Sequence, residues 1–85
     1  MKKITIYTTP YCPFCVRAKE LLKNKNIDFK EINLSEEPEK FDEMIKKSNG
    51  ARTVPQIFVD DTHIGDCDYI HELDNKSELD KILGI

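Results

Sequence analysis

The segment Tyr7-Thr8-Thr9-Pro10-Tyr11-Cys12-Pro13-Phe14-Cys15 leaves a strand, makes a turn and enters a helix, and the rest of the chain can be read outward from it. Before it, Lys2 to Tyr7 reads as a strand, with basic residues followed by alternating apolar and polar side chains. After it, Phe14, Val16, Ala18, Leu21 and Leu22 form a helical apolar stripe that Asn24-Lys25-Asn26 stops. Pro13 suits the first helical position, because its fixed φ is already helical and its missing N–H would have had no partner there. Cys12 is then the expected N-cap, where a side chain accepts the amide hydrogens of the second and third helical residues, Phe14 and Cys15.

Further along, Ile27 to Leu34 reads as a second strand carrying Ile27, Phe29, Ile32 and Leu34. Ser35 is placed to cap a second helix that tolerates Pro38 in its first turn, packs Phe41, Met44 and Ile45 inward and closes at Asn49-Gly50. Gln56 to Val59 is a third strand, Asp60-Asp61 a hairpin turn, and Thr62-His63-Ile64 a short return before Gly65. Asp66 is the expected cap of a helix holding Ile70 and Leu73, and Ser77 of a last helix holding Leu79, Ile82 and Leu83. Strands alternating with helices and ending in a hairpin plus helix imply an α/β fold of two or three layers, with a four-stranded mixed sheet flanked by helices and residues 1–85 as one domain.

Composition narrows the function. With 39% hydrophobic and 34% charged residues the chain suits a globular protein, and no apolar run approaches the roughly 20 residues that span a bilayer. The alternating start lacks the apolar centre of a signal peptide, so a cytoplasmic location is expected. Three cysteines cannot all pair within one chain, whereas a cross-linked secreted scaffold carries an even set. The net charge of −3 is unevenly spread: residues 1–30 hold seven Lys/Arg against two Asp/Glu, and residues 31–85 hold six against fourteen. A basic end around Cys12 suits an anionic sulfur or a small anionic ligand, although solvated helix faces would give the same imbalance. The absence of a dense Lys/Arg run argues against nucleic acid.

Cys12-Pro13-Phe14-Cys15 is a CxxC motif at the opening of a helix within a βαβ unit, the setting of dithiol redox chemistry. The positive end of the helix macrodipole favours thiolate over thiol at Cys12, the expected nucleophile. Cys15, three residues on, lies over the same face and is placed to resolve a mixed disulfide formed on Cys12. A zinc knuckle would need further ligands, and the candidates His63, Cys67 and His71 lie more than 45 residues away with no second CxxC. No metal site is expected, and His63 and His71 are assigned no role.

Cys12-Pro13-Phe14-Cys15, Thr53-Val54-Pro55 and Gly65-Asp66-Cys67-Asp68, at these separations, resemble the glutaredoxins, especially the small bacterial dithiol class. The likeness covers nearly the whole chain and implies a thioredoxin fold, with glutathione as reductant and no permanently bound cofactor. It implies that Pro55 follows a cis peptide bond opposite the CxxC, that Val54 offers its backbone N–H and C=O to the cysteine of glutathione, and that Asp68 meets the γ-glutamyl end, helped by the amides of Cys67 and Asp68. Such an edge works as strand augmentation does, and a helix start is a natural carboxylate seat. Tyr11, Phe14, Arg52 and Thr53 complete the expected glutathione-binding set, with Tyr11 either walling the groove or packing in the turn. The chain departs from the family pattern at Thr9, where a Lys is frequent, and at Asp66, where a second Gly is, so Arg52 is expected to supply more of the positive charge. The side chain of Cys67 is expected to pack rather than to take part in catalysis, although its position beside the groove would permit oxidation.

The resemblance implies action on disulfide-containing or glutathionylated proteins. A monomer is expected, and the charge distribution and the lack of a spanning apolar run imply neither nucleic-acid nor membrane partners. Two other readings share the CxxC. A thioredoxin-like protein reduced by a flavoprotein would not depend on Val54 or Asp68. A module sharing an iron–sulfur cluster between subunits through Cys12 and glutathione commonly departs from the family pattern at the position of Pro13.

Overall fold

The structure, a computed structural model, describes residues 2–84. Its strands are β1 (Ile4–Thr8), β2 (Lys30–Asn33), β3 (Gln56–Val59) and β4 (Thr62–Gly65), and its helices are α1 (Pro13–Asn24), α2 (Lys40–Lys47), α3 (Cys67–Asn75) and α4 (Leu79–Leu83). The sheet order is β2-β1-β3-β4, with β1 parallel to β2 and antiparallel to β3, and β3 antiparallel to β4. This is the mixed sheet the element order predicts.

Alternation along the two central strands divides the core in two. Ile4 and Ile6 of β1 and Ile57 and Val59 of β3 face one side, where they pack with Ala18 and Leu22 of α1, Ile70 and Leu73 of α3, and Leu79 and Leu83 of α4. Tyr7 and Phe58 face the other side and pack with Ile32, Leu34 and Met44 of α2. Helices therefore cover both faces, which settles the choice between two and three layers in favour of three. Tyr7 meets Phe58 edge-on, with ring centroids 5.4 Å apart, and its hydroxyl donates to Glu43 at 2.7 Å, so the buried phenol is not left unpaired.

Several boundaries differ from those the sequence suggests. The second strand begins at Lys30, because Ile27 closes α1: its N–H bonds to Leu22 O while that of Asn26, at φ 57°, bonds to Lys23 O. This is a Schellman ending with Asn in the left-handed position. Asn49 (φ 60°) ends α2 and Ser77 (φ 59°) ends α3 in the same way. Ser77 therefore terminates α3 instead of capping α4, whose N-cap is Glu78. Ser35 does not cap α2 either. Its N–H is taken by Asn33 Oδ1, turns carry the chain through Pro38, and α2 starts at Lys40 with no side-chain cap. On α1, Phe14 and Val16 stay exposed, and the buried face is Cys15, Ala18 and Leu22. Asp66 caps α3 as expected, accepting the Tyr69 N–H at 3.0 Å, and Asp60 and Asp61 both take positive φ in the hairpin turn.

Candidate active site

Strand β1 delivers the chain to Thr8, and the turn that follows brings Cys12 to the N-cap of α1 in an extended conformation. Its Sγ accepts the Cys15 N–H at 3.1 Å and lies 3.7 Å from the Val54 carbonyl oxygen, within reach of a thiol hydrogen bond. The expected second donor, the Phe14 amide, makes no such bond. One sulfur thus touches both the helix start and the loop before β3. The Val54–Pro55 bond is cis.

The second cysteine is differently placed. Cys15 is on the buried face of α1, 1% exposed, whereas Cys12 is half-buried. Burial, and then the hydrogen bond to Cys12, push the Cys15 thiol up to about 12, against an opposing backbone hydrogen bond from Thr9 and the charge of Lys19. Lys19 is held 3.0 Å from Glu31, which also accepts the Thr8 hydroxyl at 2.7 Å, so this cation is fixed within electrostatic reach of Cys15. The pair combines a partly accessible sulfur at a helix start with an occluded one behind it, so only the first is open to a partner as the chain stands.

Beside Cys12 a cleft of about 270 Å³ is lined by Phe14, Thr53, Val54, Pro55, Asp66, Cys67 and Asp68. Six of the eight residues the sequence offers as a binding set therefore line one cavity, with Asp66 added. The Cys67 side chain turns inward, 2% exposed, into the core beneath α3, and burial raises its thiol. Its contribution to the cleft is backbone at the start of α3. Arg17 lies over the Phe14 ring, 5.9 Å from the centroid, and brings a cation to this end. Among the described residues no group of three or more His, Cys, Asp or Glu gathers as a metal site.

The other two residues lie elsewhere. Arg52 lines a second groove with Thr9, Leu34, Ser35, Pro38, Phe41 and Val54, so Val54 separates it from the cleft. Tyr11 is 95% exposed; it does not pack in the turn and lines neither space. Gln56 is a residue the sequence does not single out. It is buried directly after Pro55, and its amide donates to the Thr53 carbonyl at 3.0 Å. The only sequence signal for it was a polar side chain in a strand whose other members are apolar.

Comparison with known proteins agrees with this geometry. The glutaredoxin family model matches residues 4–64. The chain is 46% identical over 83 residues to the glutaredoxin of Pseudomonas aeruginosa, covering 98% of each. It superposes on the solution structure of glutaredoxin from Brucella melitensis with a TM-score of 0.82, at 43% identity over 98% of this chain and 89% of that one. It also superposes on a buckwheat glutaredoxin–glutathione complex with a TM-score of 0.88, at 26% identity over 98% of this chain and 77% of that one.

Proposed function

The chain belongs to the glutaredoxin family of thiol–disulfide oxidoreductases, and on that footing we propose that it reduces protein–glutathione mixed disulfides and protein disulfides with glutathione as reductant. The observation that carries the proposal is the position of Cys12 Sγ, bonded to the Cys15 amide and facing the Val54 carbonyl at the edge of the cleft.

In the first route the Cys12 thiolate attacks the glutathione sulfur of a mixed disulfide. The protein–sulfur bond breaks, the protein leaves as thiolate and takes up a proton, and Cys12 becomes glutathionylated. A second glutathione thiolate attacks that glutathione sulfur, releasing oxidised glutathione and restoring the Cys12 thiolate. In the second route Cys12 attacks a protein disulfide and forms a mixed disulfide with the substrate. Cys15 loses its proton and displaces the substrate, closing a Cys12–Cys15 bridge that two glutathione molecules then reduce. The first route leaves Cys15 idle.

Glutathione has a place for each of its parts. The edge of Val54 receives its cysteine, and the start of α3, with Asp68 and the backbone of Cys67, receives the γ-glutamyl group, a carboxylate on amides and an ammonium on Asp68. Phe14 and Thr53 wall the cleft, and Arg52 beyond Val54 offers a cation to the glycyl carboxylate. That a buckwheat relative is solved as a glutathione complex supports this reading. We place the protein in the cytoplasm, where a glutathione pool supplies the electrons, and read it as a monomer; no helix of the described residues is long and apolar enough to cross a membrane.

The test is turnover of a glutathionylated peptide by the parent, Cys12→Ser and Cys15→Ser chains. Activity lost in Cys12→Ser and retained in Cys15→Ser is the expected result. A parent inactive with glutathione, yet active on disulfides when supplied with a flavoprotein reductase, would overturn the proposal.

A further inference from the structure

Gln56 is buried next to Pro55, and the chemistry of the cysteines does not use it. Its amide bridges two parts of the fold. Nε2 donates to the Thr53 carbonyl oxygen at 3.0 Å and to the Thr53 hydroxyl at 3.3 Å, while Oε1 lies 2.6 Å from His63 Nε2. These atoms admit one arrangement of hydrogens. A backbone carbonyl only accepts, so the NH2 side of the amide faces Thr53. Oε1, which also only accepts, then faces His63, and Nε2 of that imidazole carries the hydrogen. The His63 ring is seated on β4 and against Phe58, with ring centroids 5.1 Å apart. A line of bonds thus runs from the β3–β4 hairpin to the backbone one residue before Val54.

We propose that Gln56 and His63 are positioning residues for capture of the reductant: the His63 Nε2–H fixes the Gln56 amide, and that amide holds the Thr53–Val54 backbone in the orientation in which Val54 meets glutathione. This rests on the reading of Val54 as the glutathione-binding edge. Thr53 is exposed and lies outside any strand, so its side of the loop has few other restraints. A binding edge left loose is ordered only when ligand arrives, and affinity falls by the cost of that ordering. Cys12 also faces the Val54 carbonyl, at 3.7 Å, but its main anchor is α1, where its Sγ accepts the Cys15 N–H at 3.1 Å, so the loss falls on binding more than on the nucleophile.

The experiment measures turnover of a glutathionylated peptide against glutathione concentration for the parent, His63→Phe and His63→Gln chains, with the rate of Cys12 alkylation recorded for each. His63→Phe keeps a ring against Phe58 and removes the donor; KM for glutathione is expected to rise about five- to tenfold, with kcat and Cys12 alkylation within about twofold of the parent. His63→Gln places an amide N–H near the lost Nε2–H and is expected to restore KM. An unchanged KM in His63→Phe, or equal damage in both variants, overturns the proposal. A parent that does not use glutathione overturns the preceding reading instead. The relay is then decided by nitrogen-15 NMR of His63: hydrogen on Nε2 supports it, and hydrogen on Nδ1 refutes it.

Discussion

Cys15 is expected to resist alkylation, and the size of the resistance follows from its surroundings. Its thiol is pushed up to about 12, chiefly by burial. At pH 7.5 such a thiol is ionised to roughly 3 parts in 100,000, against roughly one part in ten for a cysteine near 8.5. A more basic thiolate is a better nucleophile. With a Brønsted slope of about 0.4–0.5, the gap of about 3.5 between the two values returns a factor of roughly 25–55. The net effect is reaction about 50- to 100-fold slower than in the unfolded chain, before any steric shielding of a residue 1% exposed. The perturbation is Cys12→Ser, which removes the competing thiol and leaves burial, the largest cause, in place. Because it also takes away what Cys12 adds to the shift, that slowing is the upper value for this variant. The assay is iodoacetamide labelling, native and in denaturant, with Cys15 and Cys67 distinguished by peptide mass. The native rate at Cys15 should climb nearly tenfold per pH unit to about pH 11, while the denatured rate flattens above about pH 9. A native rate within about threefold of the denatured one would refute the reasoning. Because the folded value lies above the unfolded one, the thiol form is the one the fold prefers. Its contribution to stability is complete below about pH 8.5 and is lost as pH rises through 12, with Cys67, also raised by burial, acting in the same direction.

Two further expectations concern stability. A Cβ at Gly65, where φ is +144°, would stand 2.7 Å from Tyr69 Cδ2, so Gly65→Ala should cost about 2–5 kcal/mol in urea unfolding. Adding Tyr69→Ala removes the ring but keeps its Cβ, 3.0 Å from the added methyl, so it should return only some of the steric cost. A cost below about 1 kcal/mol for Gly65→Ala would contradict the geometry. Ser77, at φ 59° at the end of α3, occupies a position glycine takes without strain, so Ser77→Gly should raise stability by about 0.5–1 kcal/mol by the same measurement.

The redox motif was the most legible part of the chain because its chemistry is local. Pro13 sets the helix start, the helix start makes Cys12 a cap, and the 3.1 Å bond from the Cys15 amide is the direct result. The division of the core follows the strand period, with Ile4 and Ile6 against Tyr7 and Ile57 and Val59 against Phe58. Short apolar runs such as Gln56 to Val59 carry no polar alternation to announce which face each residue takes, so the strands were legible and their two faces were not. The failures share a cause. Ser35 and Ser77 are good caps by residue type, but each sits where the backbone was already committed, one to an Asx turn on Asn33 and the other to the left-handed end of α3. Phe14 and Val16 fit an apolar stripe and remain exposed, because the buried face of α1 is narrow and centred on Cys15, Ala18 and Leu22. The Gln56–His63 pairing joins residues seven apart across a hairpin with an irregular register at Ile57/Phe58, and no local period reports it.

The two apolar clusters on opposite faces of the sheet also give the active site two separate foundations. The α1 and α3 side holds the helix that carries Cys12, while Val54 rests on the smaller cluster beneath α2, which contributes a single fully buried side chain, Met44. Local opening follows the thinner layer first. In hydrogen exchange, amides of α2 should therefore lose protection ahead of those in α1, and mild heat or denaturant should unseat the Val54 loop while the helix that Cys12 caps stays closed. Tolerance to damage is divided in the same way: a lesion under α2 loosens the Val54 loop, which on the proposed function weakens access to electrons, and one under α1 displaces Cys12.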